Sequence, residues 1–345
     1  MSHSSAAPGV GAIVALAAAT WLLSAQVPEP VREASMVEQI SAVRYAPPGW
    51  YIKDHCLIHH DGLWHLFGPL GRIGASWEDV GSEETAEHMT SPDLVHWTHV
   101  GTSVSASGED GYFDKMMGGL APHIVATDGT FIMFYSGWTF PSKRPNLNIQ
   151  GYRQSCGLVT SKDLYQWSKV PEFERDGLGV QGTDPCVARD EANDRWLMYT
   201  WTGSVDVYAS TDLAHWVRAG TAVTADDLGD YIGESPFVMK HPLSGKWVIF
   251  LHGGYSTSDD AVSFPAVTPY SFKAGWHPVP GVLASGNWGD GTNALADDDS
   301  VGFAHEIIEF QGQWYMTGIV GRDGRFKLKF TPFEWTDEFI ELTAR

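Results

Sequence analysis

The chain has 345 residues, of which 43% are hydrophobic, and its 42 acidic and 22 basic residues give a formal net charge of −20 at pH 7. This excess of carboxylates repels phosphate backbones and argues against a nucleic-acid partner, while the hydrophobic content is too high for a disordered chain. The three cysteines, Cys56, Cys156 and Cys186, are too few and too scattered for a disulfide framework or a zinc site.

The first element along the chain is an apolar run, VGAIVALAAATWLLSA, over residues 10–25. It is short for a membrane span, which needs about 20 apolar residues, so we expect no membrane-spanning segment. Leu23–Ala25 is similar to a small-residue cleavage site, which favours an export signal and a secreted or periplasmic protein. The residues before the run include His3 but no Lys or Arg, so a helix that packs on a partner subunit in a homodimer, and a cytoplasmic protein, stay the alternative. We assign residues 1–45 to an N-terminal extension.

After residue 45, a turn followed by an alternating strand recurs five times. Each copy joins a Gly or Asp turn to alternating aromatic and aliphatic residues, as a half-buried antiparallel strand requires. The copies are HDGLWHLF, TDGTFIMFY, ANDRWLMYTW, LSGKWVIFLH and FQGQWYMTGI, which end at Phe67, Tyr135, Trp201, His252 and Ile319.

A tryptophan ends each repeat, and the five are Trp97, Trp167, Trp216, Trp276 and Trp335. The first three follow Ser-x-Asp-Leu, which predicts a turn whose short side chains bond the backbone, with Leu and Trp packed between repeats. Repeats of roughly 40 to 60 residues with about four strands each are typical of β-propeller blades. The sequence therefore predicts an all-β fold, a five-bladed β-propeller over residues 46–345.

A further segment precedes each turn strand, and it should form the inner strand of its blade, beside the central axis. The segments are KDHCLIHH, APHIVAT, TDPCVARD, ESPFVMKH and AHEIIEF. The residues that we place near the axis at equivalent positions are Asp54, His123, Asp184, Glu234 and His305. Clustered ionisable groups destabilise a fold through desolvation and repulsion, so their convergence at one end of one channel indicates a functional site.

These segments resemble the five-bladed glycosidases of glycoside hydrolase family 43 and its relatives in families 32, 62, 68 and 117. In those families an Asp begins blade one, a second Asp follows in an Arg-Asp-Pro motif, and a Glu begins a later blade. The matching residues are Asp54 in YIKDHCLIHHDG, Asp184 in GTDPCVARD and Glu234 in YIGESPFVM, and the resemblance covers about residues 50–335. It implies a glycosidase that acts on neutral oligo- or polysaccharides.

Two departures from these families are visible. Family 32 enzymes have Asn-Asp-Pro-Asn at the first site, whereas Lys53-Asp54-His55 lacks both asparagines, which weighs against a typical invertase. Thr183 stands where Arg is usual before the second Asp, so a sugar contact expected from that Arg must come from elsewhere.

The resemblance implies a role for each carboxyl group. Glu234 would be the general acid that protonates the leaving oxygen. Asp54 would be the general base or the nucleophile, depending on the distance between the two carboxyl groups. Asp184 would raise the pKa of Glu234 by its negative charge, or hold a sugar hydroxyl.

Histidines near these positions are candidate sugar contacts. His55 follows Asp54 directly, and His123 and His305 are second choices for the general acid. His305 matches the blade-five histidine that in family 43 faces a cation or water in the central channel. A core histidine bonded to backbone carbonyls is the competing interpretation of His305.

Three loop tryptophans, Trp77, Trp138 and Trp288, could stack against sugar rings, although buried packing explains each of them equally well. The run Asp297–Asp299 leaves a calcium site open. We expect no required cofactor, with Ca²⁺ or another cation in the central channel as the optional addition.

Three other functions stay open. The first is a sugar-binding propeller without catalysis. The second is a glycoside phosphorylase, which needs clustered Arg or Lys for phosphate, and the inner segments supply Lys53, Arg189 and Lys240. The third is an unrelated propeller that binds proteins. For a glycosidase, the substrates expected are α-L-arabinofuranosides, β-D-xylosides and β-D-fructofuranosides, in that order.

Overall fold

The structure, a computed structural model, describes residues 34–75, 79, 81–139, 154–228, 234–252, 254–269, 302–321, 325–337 and 339–342. The apolar run over residues 10–25 lies outside these ranges. Among the described residues, none of the helices has the length and apolar content needed to cross a bilayer.

A short helix and a short strand come before the first blade. Helix α1 (Met36–Ser41) begins at Ser35, whose hydroxyl accepts a hydrogen bond from the N–H of Glu38, while the Glu38 carboxylate accepts one from the N–H of Ser35 at 2.7 Å. This reciprocal capping stabilises a helix that would be too short to persist alone. Strand β1 (Arg44–Tyr45) follows, and both elements belong to the compact unit that begins at Ser35, ahead of the boundary expected after residue 45.

The remaining strands form five antiparallel sheets, one for each blade. The first blade contains β2 (Trp50–Ile52), β3 (Cys56–His60), β4 (Leu63–Arg72), β5 (Thr85–Ser91) and β6 (Thr98–Ser105). The second contains β7 (Met117–Thr127), β8 (Thr130–Trp138), β9 (Gln154–Ser161) and β10 (Trp167–Lys169). The third contains β11 (Thr183–Asp190), a 3₁₀ turn (Glu191–Asn193), β12 (Arg195–Trp201), β13 (Val205–Ser210) and β14 (Val217–Val223), followed by helix α2 (Ala225–Leu228). The fourth contains β15 (Phe237–Lys240), β16 (Trp247–Leu251), β17 (Gly254–Ser258) and β18 (Thr268–Pro269). The fifth contains β19 (Phe303–Phe310), β20 (Gln313–Val320), β21 (Lys327–Trp335) and β22 (Ile340–Leu342).

The blades close into a ring, so the predicted five-bladed β-propeller is confirmed. The inner strands β3, β7, β11, β15 and β19 contact one another in that order, and β19 contacts β3. Strand β1 pairs with β21 through Arg44 and Lys329, and β22 pairs with the other end of β21 through Ile340 and Trp335. Strands β1 and β22, which come from opposite ends of the described chain, therefore complete the fifth blade. This pairing removes a long open edge from the ring.

The Ser-x-Asp-Leu turns have the predicted structure. Asp93 Oδ1 accepts hydrogen bonds from the backbone N–H groups two and three residues further on, at 2.9 and 2.8 Å. Leu94 is fully buried with φ +65°, and Trp97 Nε1 donates to its carbonyl at 2.9 Å. The same bonds recur in the second and third blades. Trp276 lies outside the described residues, and Trp335 ends β21.

Candidate active site

A one-residue irregularity interrupts the inner strand near its beginning. The pairing of β11 with β12 shifts between Thr183 and Cys186, and comparable shifts occur in β7 and β19. At these points a residue other than glycine adopts the left-handed conformation, and the five blades contribute Asp54, Ala121, Asp184, Ser235 and Ala304, with φ of 40°, 44°, 55°, 51° and 53°. Such a conformation costs about 1 to 3 kcal/mol and concentrates at functional sites, because a bulge redirects its side chain.

All five left-handed residues line a single cavity with about 320 Å³ of empty volume. In three blades, the residue predicted to lie near the axis is not the left-handed residue. His123 lies two residues after the left-handed residue, Glu234 one residue before it and His305 one residue after it, whereas Asp54 and Asp184 occupy it. The physical reason is the bulge, which inserts a residue that a count of alternating side chains does not register.

The cavity brings together most of the predicted site residues. Asp54, His55, His123, Asp184 and His305 line it, and Glu234 directly precedes the lining residue Ser235. Trp138 ends β8, is partly buried and is not among the described lining residues. Trp77, Trp288 and Asp297–Asp299 lie outside the described residues.

Asp184 connects three blades through hydrogen bonds to its carboxylate and backbone. Its Oδ1 accepts from Thr183 Oγ1 at 2.7 Å, and its Oδ2 accepts from the backbone N–H of Ser235 at 3.0 Å. Its own N–H donates to Ser136 Oγ of the second blade at 2.8 Å. Burial raises the pKa of Asp184, while the bonds from Thr183 and Ser235 and the charge of Lys53 lower it. Asp184 thereby fixes the backbone beside Glu234.

Glu234 lies between Asp184 and a buried imidazole. His252 Nδ1 is 3.8 Å from Glu234 Oε2, and His252 Nε2 is 3.4 Å from Ser235 Oγ. Burial lowers the pKa of His252 to about 3, so this imidazole is neutral at pH 7 and does not hold Glu234 ionised. Burial, followed by the charges of Asp184 and Asp54, raises the pKa of Glu234 to about 8. Glu234 is therefore protonated at neutral pH.

Asp54 has a cation beside it. Lys53 Nζ is 4.0 Å from Asp54 Oδ2 and 3.8 Å from Glu83 Oε2. Burial raises the pKa of Asp54 to about 7, against the opposing effect of Lys53 and with smaller increases from Asp184 and Glu83. Lys53 is the second-largest influence on the pKa of Asp54 and the smallest of those that act on Glu234, so the two carboxyl groups have unequal surroundings, as an acid and base pair requires.

The three histidines at the site are buried and neutral. His55 Nε2 is 2.6 Å from Thr317 Oγ1, His305 Nδ1 is 3.1 Å from the carbonyl of Thr317, and His123 Nε2 is 3.0 Å from the carbonyl of Val187. Burial lowers the pKa of these histidines to about 3, about 4 and about 4, respectively. Within the described ranges, no group of three or more His, Cys, Asp or Glu is arranged for a metal ion. The contact of His305 with a backbone carbonyl matches the competing interpretation of this residue.

Sequence reasoning missed three residues of this site. Ser235 and Glu306 directly follow Glu234 and His305, so the two motifs already contained them. Glu306 is 6% exposed, accepts a hydrogen bond from the N–H of Leu57 at 2.7 Å and has its pKa raised to about 8 by burial. Glu83 comes from the loop before β5, where no sequence signal identifies it.

The family model described as the glycosyl hydrolases family 32 N-terminal domain matches residues 45–270. A levanase of Bacillus sp. (strain L7) is 24% identical over 261 residues, which cover 68% of this chain and 26% of the levanase. A sucrose-6-phosphate hydrolase of Escherichia coli is 26% identical over 199 residues, which cover 55% of this chain and 39% of that protein. The chain therefore spans less than half the length of either relative.

Solved structures with the same architecture come from two families. The family 32 β-fructofuranosidase of Bombyx mori has a TM-score of 0.60 at 16% identity, covering 88% of this chain and 64% of that one. A family 43 enzyme of Xanthomonas citri complexed with xylotriose also has a TM-score of 0.60, at 13% identity, covering 90% of this chain and 96% of that one. At these identities the likeness concerns the fold alone.

Proposed function

The chain belongs to glycosyl hydrolase family 32, and from that premise we propose that it hydrolyses β-D-fructofuranosidic bonds in sucrose-like oligosaccharides or fructans. The observation that carries this proposal is the placement of Asp54 and Asp184 in one cavity, with Glu234 directly before the lining residue Ser235 and its pKa raised by the charges of both aspartates. The choice of fructofuranosides is supported by the names of two relatives, a levanase and a sucrose-6-phosphate hydrolase.

In the proposed reaction, the roles of Glu234 and Asp54 follow from their protonation states. Glu234 is protonated below pH about 8, so it donates its proton to the glycosidic oxygen as the bond to the anomeric carbon breaks. Asp54, ionised above pH about 7, either attacks the anomeric carbon to form a glycosyl ester, which water then hydrolyses with the ionised Glu234 as base, or takes a proton from the water molecule that attacks this carbon. Asp184 keeps Glu234 protonated by its charge, and His55 Nδ1, which has no hydrogen-bond partner in the described part of the chain, can bind a sugar hydroxyl.

The family match changes the order of substrates that the sequence alone suggested. Arabinofuranosides came first there, and the absence of both family 32 asparagines around Asp54 weighed against a typical invertase. Membership of family 32 places fructofuranosides first. The phosphorylase alternative is also less well supported. Neither Arg189 nor Lys240 is among the described residues that line the cavity. Arg189 contacts Asp194, and Lys240 lies 4.3 Å from the ring centre of Trp247.

The test is a substrate panel on the full chain with Asp54→Ala as the matched control. We expect release of fructose from sucrose, inulin or levan, loss of release in the variant, and no effect of phosphate or of EDTA. Cleavage of only an aryl α-L-arabinofuranoside or β-D-xyloside would overturn the substrate assignment. Turnover that depends on phosphate would indicate a phosphorylase, and binding without turnover would indicate a sugar-binding propeller.

We also propose that the protein is exported, on the evidence of the apolar run over residues 10–25. The extension ahead of the catalytic propeller would then end before Ser35, because α1 and β1 belong to the compact unit of the propeller. Association of two copies through that extension stays the alternative prediction.

A further inference from the structure

Lys53 occupies a position where the resembling family 32 enzymes have asparagine. It lies between β2 and β3, and its backbone N–H donates to the carbonyl of Pro69 at 3.2 Å, which fixes the backbone directly before Asp54. Its side chain is 21% exposed, and its ammonium group lies 6.0 Å from the ring centre of Phe326. A lysine this enclosed needs carboxylate partners to stay charged.

Glu83 holds this ammonium group from the opposite side. It is 4% exposed and has φ +53°, and its N–H donates to the carbonyl of Leu70 at 2.9 Å. Tyr51, which is buried, donates its hydroxyl to Glu83 Oε1 at 2.7 Å, and the other oxygen of the carboxylate faces Lys53 at 3.8 Å. Tyr51, Glu83, Lys53 and Asp54 therefore form one connected chain of contacts.

Asp54 is surrounded by carboxyl groups and by one ammonium group. Asp184, Glu83 and Glu234 act on it as carboxyl groups, and Lys53 is the cation that acts on it from the adjoining backbone. Within the described ranges no Lys or Arg lines the cavity itself, and Lys53 stands directly before the lining residue Asp54. Burial alone would lower the pKa of Lys53, but Glu83, Asp54, Glu234 and Asp184 together raise it above the ordinary value, so the ammonium group stays charged at neutral pH.

We propose that Lys53 is a positioning residue for the proposed hydrolysis: its ammonium group, anchored by Glu83, keeps the Asp54 carboxyl group ionised and oriented in a cavity otherwise rich in carboxyl groups. This inference rests on the proposed function for the role of Asp54. The asparagine that precedes the first Asp in the family 32 motif is neutral and would exert no such charge on that Asp.

The kinetic test compares substitutions that change charge on either side of Asp54. An opposite charge at this distance shifts a pKa by about 1 to 3 pH units, so Lys53→Met should move the acid limb of kcat/KM upward and lower kcat/KM about 10- to 100-fold at pH 7. Glu83→Gln keeps an amide oxygen that can hold the Lys53 ammonium group but removes a negative charge that raises the pKa of Asp54, so it should move the acid limb in the opposite direction. Lys53→Arg should keep the acid limb near that of the unmodified protein, and Lys246→Met, at an exposed lysine, controls for loss of one positive charge.

A direct measurement separates this inference from the proposed function. ¹³C NMR of the protein labelled at the aspartate carboxyl carbons, without substrate, follows the titration of Asp54, with Asp54→Asn identifying its resonance. We expect a midpoint near pH 7 in the unmodified protein, a higher one in Lys53→Met or Lys53→Gln and a lower one in Glu83→Gln. An unchanged midpoint in the Lys53 variants would overturn the inference even if the enzyme is active. A protein that cleaves no substrate but shows these opposite shifts would overturn the proposed function and support the charge role of Lys53.

Discussion

Substitution of Asp184 by Asn removes a charge from the general acid while keeping the shape of the side chain. Asp184 Oδ2 accepts a hydrogen bond from the N–H of Ser235 at 3.0 Å, so its charge lies one residue from Glu234. A neighbouring charge shifts the pKa of a carboxyl group by about 1 pH unit or more, which corresponds to about 1.4 kcal/mol or more. We therefore expect the pKa of Glu234 to fall by about 1 pH unit.

The sign of the effect follows from the role of each group. Glu234 must hold its proton, so the lower pKa moves the basic limb of kcat/KM from pH about 8 towards neutral pH. Asp184 also raises the pKa of Asp54, so the acid limb should move down as well. The whole bell-shaped profile is thus expected at lower pH in Asp184→Asn.

The measurement is kcat/KM for sucrose across about pH 5 to about pH 10 at constant ionic strength, because this ratio reports the free enzyme. Asp61→Asn is the matched control, since Asp61 has an 88% exposed side chain in the turn before β4. A lower rate with an unchanged basic limb would refute the electrostatic role and leave Asp184 as a substrate contact. A basic limb that moved to higher pH would refute the sign of the argument.

Three further outcomes are expected. Asp54→Asn should abolish hydrolysis while leaving the melting temperature unchanged or higher, because a buried carboxylate repelled by Asp184 is removed; retained hydrolysis would assign its role to another group. Glu234→Gln should lower the rate on a sugar–sugar bond by about 100- to 10,000-fold and on an activated aryl glycoside much less, and should remove the basic limb, whereas equal losses on both substrates would place the acid elsewhere. Lys169→Met should destabilise the fold by about 3 to 5 kcal/mol, because it leaves the fully buried Asp114 without the ammonium group 2.8 Å away. Thermal unfolding measures that loss, the double variant with Asp114→Asn should recover part of it, and a melting temperature unaffected by Lys169→Met would contradict the burial argument.

The sequence predicted the ring of blades because each blade depends on local signals. The turn residues, the alternating strands and the Ser-x-Asp-Leu turns are all defined within a few neighbouring residues, and the bonds around Asp93 show how short-range they are. The carboxyl groups Asp54, Asp184 and Glu234 were found in the same way, since each stands at the beginning of an inner segment. The sequence did not assign a role to the loop tryptophans, because a tryptophan that stacks on a sugar and one that packs in a core have the same local sequence.

By itself, therefore, the sequence determined the number of blades and predicted three acidic positions for the site. Tertiary structure decided how those positions act together. The left-handed bulge at Asp54 and Asp184 sets the direction of their side chains, and no alternation of residue types encodes that φ. The approach of Glu83 to Lys53, and the bond from Ser235 to Asp184 across two blades, exist because the ring closes. Charge interactions fall off with distance and depend on burial, so the protonation of Asp54 and Glu234 follows from the closed ring and from no single stretch of the chain.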